Sequence, residues 1–104
     1  MKFPGNINPQ ALMKQAQQMQ EKLKVEIAAI RVEASSGGGM VAIRMDGNKN
    51  VIGVKIDPEV AGDVEMLQDM VMAACNEAVK KVEEESQKKM GGMLGGLGLP
   101  PGMF

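Results

Sequence analysis

At 104 residues the chain has room for one domain, and a domain that small leaves much of its surface uncovered unless a second subunit covers it. Its 12 basic and 13 acidic residues, for a net charge of -1, exclude a simple polycation that coats DNA, although local basic patches remain open because charge acts through its distribution. One cysteine and no histidine exclude an internal disulfide and leave too few ligands for a zinc finger or a thiolate metal cluster.

The opening MKFPGNINPQ carries no apolar run of signal-peptide length. Nowhere does the chain hold a stretch of about 18 apolar residues, so no membrane span is expected and the cytoplasm is the simplest compartment. Residues 1–8 read as a flexible lead-in. Asn8-Pro9 is then a helix start, an N-cap followed by Pro at the first helical position. A long helix is predicted from residue 9 to about residue 29. Its apolar positions Leu12, Ala16, Met19, Leu23, Ile27 and Ile30 keep to one narrow stripe. A narrow stripe points to helix-on-helix packing more than to burial in a large core.

Near residue 30 the period falls to two. Ile30, Val32 and Ala34 alternate with Arg31, Glu33 and Ser35, which predicts a strand. Ser36-Gly37-Gly38-Gly39 breaks that run as a hairpin loop. A second strand is expected over Met40–Asp46, with Val41, Ile43 and Met45 on one face. Gly47-Asn48-Lys49-Asn50 turns the chain into a third strand, Val51–Ile56, with Ile52, Val54 and Ile56 on one side. Asp57-Pro58-Glu59 reads as a turn or a short helical piece, and Asp63 as the cap of a second long helix. Leu67, Met70, Val71, Ala74, Cys75, Ala78, Val79 and Val82 give that helix a broad apolar face, which should lie on the sheet. From Gly91 onward six glycines and two prolines in fourteen residues predict a flexible tail.

The expected fold is therefore α+β. It is a two-layer sandwich in which a three-stranded antiparallel meander is flanked by two long helices, in the order α-β-β-β-α. One domain should span 9–90, between the lead 1–8 and the tail 91–104.

No residue set assembles into catalytic chemistry. The glycine run joins two strands, where a nucleotide-binding loop would lead into a helix. Cys75 has no histidine to activate it and reads as a packed thiol. The 11 methionines are spread through the chain as gap-fillers rather than gathered as a soft-metal site. Neither a cofactor nor a small-molecule ligand is expected. The first helix should overhang its own sheet, leaving Leu12, Met19 and Leu23 bare in a monomer. That marks them as candidate contacts of a homodimer.

Three segments together resemble the YbaB/EbfC family of nucleoid-associated proteins. They are NPQALMKQAQQMQEKL at Asn8–Leu23, VEASSGGGMVAIRMDGNKNVIGVKIDPEV at Val32–Val60, and LQDMVMAACNEAVKKVEEES at Leu67–Ser86. The Lys-Met-Gly-Gly and Leu-Pro-Pro-Gly pieces of the tail extend the likeness over nearly all of the chain. The resemblance implies a non-enzymatic homodimer with protruding helices. Such a dimer binds double-stranded DNA with little sequence preference and affects nucleoid organisation and gene expression. With charge, it makes Lys14, Lys22, Lys24, Arg31, Lys80, Lys81, Lys88 and Lys89 the expected phosphate contacts. The alternative is a homodimeric protein-interaction module acting alongside recombination or replication proteins.

Overall fold

The computed structural model describes residues 8–95. The lead-in at 1–7 and the end of the tail at 96–104 lie outside the described residues. In chain order the elements are α1 (Pro9–Ala28), β1 (Arg31–Ser36), β2 (Val41–Asp46), β3 (Val51–Ile56), α2 (Pro58–Ala61) and α3 (Val64–Gly95). The strands form one antiparallel sheet in the order β1-β2-β3. The expected α-β-β-β-α order is therefore what the chain adopts, with the piece after β3 formed as the single turn α2.

Local chemistry starts each helix. The Asn8 side chain accepts from the Gln10 N–H at 3.0 Å, with Pro9 in the first helical position. Asp57-Pro58 repeats the device, its carboxylate accepting from the Glu59 N–H at 2.9 Å. Asp63 caps α3, accepting from the Met66 N–H at 3.1 Å. These contacts satisfy amide groups that have no partner inside the helix. At the other end, α3 runs through Gly91 and Gly92 to Gly95, past the expected boundary at residue 90. Glycine costs a helix about 1 kcal/mol per residue, but extending an existing helix avoids the nucleation step, so two glycines do not stop it.

Two turns set the strand connections. Gly37, Gly38 and Gly39 all have positive φ, at 60°, 69° and 97°, a run that only glycine adopts without strain. Between β2 and β3 the Asp46 carboxylate accepts from the backbone N–H groups of Asn48 and Asn50, at 2.9 and 3.0 Å. These bonds, that to the Asn50 N–H first, hold its carboxyl below the ordinary value of 3.8. Gly47 in the same turn is buried, and any side chain there would strike the Ile27 carbonyl and Ile30. The turn is thereby locked against the end of α1.

The core lies between α3 and the sheet. Ala34, Val41, Ile43 and Met45 meet Ala74, Ala78 and Val82, with Val60 of α2 closing one end. Leu67, Met70, Val71, Cys75 and Val79 pack around them, so the broad face read from the sequence is the one used. Small residues at Ala74 and Ala78 let the helix axis approach the sheet closely. α3 lies over β1 and β2. On β3 the side chains of Ile52, Val54 and Ile56 remain exposed, although Val54 and Ile56 stand opposite the buried Ile43 and Val41. One helix, about 10 Å across, covers two strands spaced about 4.8 Å apart and not a third.

α1 buries none of its residues completely. Burial is graded along its stripe: Leu12 and Ala16 are exposed, Met19, Leu23 and Ile27 half-buried, and Ile30, just past the helix, is buried. The molecule measures 71 × 25 × 15 Å.

Candidate nucleic-acid interface

Of the cations expected on the helices, the structure separates free groups from engaged ones. Lys14, Lys22 and Lys24 are exposed along α1, within ~15 Å of one another along the axis. None of the three has an ion-pair partner among the described residues. Lys80 and Lys89 on α3 are likewise exposed and unpaired there.

The other three have structural duties. Arg31 donates through one guanidinium nitrogen to the carbonyls of Ala28 and Ile30, both at 2.8 Å, and so caps the end of α1. Lys81 is half-buried and donates to the Glu33 carbonyl of β1 at 2.8 Å. Lys88 pairs with Glu85 one turn back at 3.3 Å, with the Lys88 side chain largely and that of Glu85 partly exposed. Such a surface pair is worth no more than about 1 kcal/mol, so Lys88 is not withdrawn from solvent. Lys49 pairs with Glu83 at 3.2 Å in the same loose way and ties the β2–β3 turn to α3. The eight expected groups therefore form no single patch. They fall into one set on α1 and another on the later part of α3.

The open face of the sheet adds two cations outside the expected set. Arg44 and Lys55 are exposed there and unpaired among the described residues. With Glu33, Ala42 and Gly53 they line a shallow depression of about 420 Å³. The Arg44 guanidinium lies across Gly53, close enough that a Cβ at that position would come within 2.9 Å of it. The signal was present in the sequence: Arg44 alternates with the core residues Ile43 and Met45, and Lys55 with Val54 and Ile56, which fixes both on the far face. Only pairing of β2 with β3 brings them together.

Chemistry of other kinds finds little to work with. Among the described residues no cluster of His, Cys, Asp or Glu is placed to hold a metal ion, and none of the helices is long and apolar enough to cross a membrane. Cys75 is half-buried against the core, a packed thiol as its neighbours imply.

A three-stranded antiparallel sheet flanked by two long helices that carry exposed lysines defines a class of small α+β proteins. Within that class the chain belongs to the YbaB/EbfC DNA-binding family, which it matches over residues 5–97. A nucleoid-associated protein of Koribacter versatilis is 46% identical over 98 residues, covering 92% of this chain and 97% of that protein. Another, from Acidobacterium capsulatum, is 47% identical over 102 residues, covering 91% and 94%. The crystal structure of the uncharacterized protein HP0035 from Helicobacter pylori superposes with a TM-score of 0.71 at 26% identity. It covers 86% of this chain and 99% of that one.

Proposed function

We propose that this protein binds duplex DNA as a homodimer, through phosphate contacts and with little sequence preference, and so acts on nucleoid organisation and gene expression in the cytoplasm. The observation that carries this reading is α1. It projects from the core and buries no residue, yet it displays Lys14, Lys22 and Lys24 to solvent without ion-pair partners among the described residues. Membership of a DNA-binding family supports duplex DNA as the ligand of those charges. Lys80 and Lys89 join them, with Lys88 once its loose pair opens. Arg31 and Lys81 contribute less, because leaving their carbonyls would uncap α1 and free the Glu33 carbonyl. Phosphate contacts give affinity and position without reading bases, which matches a chain with only two arginines. Glu21 and Glu26 on α1 repel phosphate and keep the affinity modest.

The test is a titration of duplex DNA at two salt concentrations. Binding should weaken steeply as salt rises. Double replacement Lys22→Ala and Lys24→Ala should lower the salt slope by about 0.9 for each phosphate no longer neutralised, equally on unrelated sequences. Binding that is absent at low salt, or indifferent to salt, overturns the proposal.

A second reading, a protein-interaction module, draws on Leu12, Met13 and Val25, which are 46%, 66% and 69% exposed on the same helix. Apolar contacts of that kind would be insensitive to salt. As a surface for a second copy, the α1 stripe offers chiefly Leu12, since Met19 and Leu23 are already half-covered within the chain.

A further inference from the structure

Only Ala29 and Ile30 connect α1 to β1, and neither is loose. The Ala29 N–H donates to the Val25 carbonyl and the Ile30 N–H to the Ile27 carbonyl, both at 3.0 Å. The Ile30 side chain is buried. One Arg31 guanidinium nitrogen holds the carbonyls of Ala28 and Ile30 together. A connection this short, bonded this densely, has little freedom to swing.

The β2–β3 turn is built into that connection. Gly47 is buried against it, and a Cβ there would collide with the Ile27 carbonyl, the same group that accepts from the Ile30 N–H. The turn is itself stiff. The Asp46 carboxylate accepts from the backbone N–H groups of Asn48 and Asn50 and, at 3.3 Å, from the Asn50 side chain. The Asp46 carbonyl accepts from the Lys49 N–H at 3.0 Å. Lys49, at φ 64°, is the one non-glycine residue with positive φ among the described residues. A lysine is strained there, and glycine or asparagine would sit more easily. From that position its ammonium reaches Glu83 of α3. One turn thereby meets the end of α1 through Gly47 and the side of α3 through Lys49.

Resting on the DNA reading above, we infer that this turn is a positioning element for binding: it fixes the angle between α1 and α3, and so the spacing between the lysines of α1 and those of α3. Among the described residues little else holds the arm. α1 completely buries none of its residues, and Met19, Leu23 and Ile27 make only a half-covered seam. Lys14 lies about 20 Å along the helix axis from Ile27. A tilt of about 15° at the joint would therefore carry it roughly 5 Å, more than the length of a hydrogen bond. Two sets of cations on separate helices meet one duplex together only while that angle holds.

The experiment pairs a distance with a titration. Spin labels on Gln17→Cys and Gln87→Cys, in a Cys75→Ser background and diluted with unlabelled protein, report the separation of the two helices within one chain. Gly47→Ala and Asp46→Ala should each shift or broaden that distance, while circular dichroism stays that of the wild type. On duplex DNA at low salt each variant should bind roughly fivefold more weakly. For Asp46→Ala the sign decides, because loss of a negative charge would by itself strengthen binding to phosphate. Both losses should vanish in the triple variant Lys14→Ala, Lys22→Ala and Lys24→Ala, since the turn acts through those lysines; a general loss of folded protein would persist there. Should Gly47→Ala fail to fold, Asp46→Ala carries the test, its side chain being only partly buried. Unchanged distances, or an Asp46→Ala variant that binds as tightly as wild type, overturn this inference. A wild type that does not bind duplex at low salt defeats the DNA reading itself, and the distances then decide alone whether the turn fixes the arm.

Discussion

The two long helices invite comparison, because both read from the sequence as amphipathic and they end in opposite situations. α3 presents two apolar residues per turn, with Ala74, Ala78 and Val82 at the centre of its face completely buried. α1 presents one per turn and completely buries nothing. A wide stripe can seat a helix on a sheet, where contacts spread to either side of the axis. A narrow one makes a single seam, and the half of α1 beyond the sheet lacks even that. Stability should therefore be concentrated in α3, and freedom to meet a ligand in α1.

Substitutions can break that contrast. Ala78→Leu puts three extra carbons where α3 touches the sheet and should destabilise the fold by about 3 kcal/mol, read as a lower midpoint in urea. Removing the α1 cap with Asn8→Ala should cost at most about 1 kcal/mol. Most of that loss should appear as faster amide exchange in the first turn of α1, with the sheet amides unmoved. Leu12→Ser, far along the arm, should change stability by less than about 0.5 kcal/mol. If it costs as much as Ala78→Leu, the arm is packed in solution.

The smallest effect concerns the turn that joins the two halves. Asp46 titrates below its ordinary value because the Asn50 and Asn48 amides stabilise the carboxylate. A carboxyl depressed in the folded state contributes its stability above the unfolded value of about 3.8 and loses it as pH falls through the lower folded value. Replacement by Asn should therefore flatten a small acid-side loss of stability and leave the neutral side of the profile parallel to wild type.

Much of the scaffold was legible in the residues. Asn8-Pro9 and Asp63 announce two helix starts, the glycine run announces the hairpin, and the switch in period near residue 30 announces the sheet. The split between a broad and a narrow stripe anticipated which helix would lie on the sheet. The expected phosphate contacts were less legible. Charge alone does not distinguish Lys22, free on α1, from Lys81, bound to the carbonyl of Glu33 some 48 positions away in the chain.

What the sequence by itself determined is local: periods, caps and turns, each set by interactions over a few residues. Which strand would be left uncovered was decided by the tertiary structure. Ile52, Val54 and Ile56 carry the same alternating pattern as Val41, Ile43 and Met45, and no property of the strand itself marks it as exposed. The difference arises because one α3 helix spans the width of β1 and β2, and β3 lies beyond its reach. Arg44 and Lys55 share that dependence. They stand at fixed positions in their own strands, but it is the pairing of β2 with β3 that sets them side by side on the open face.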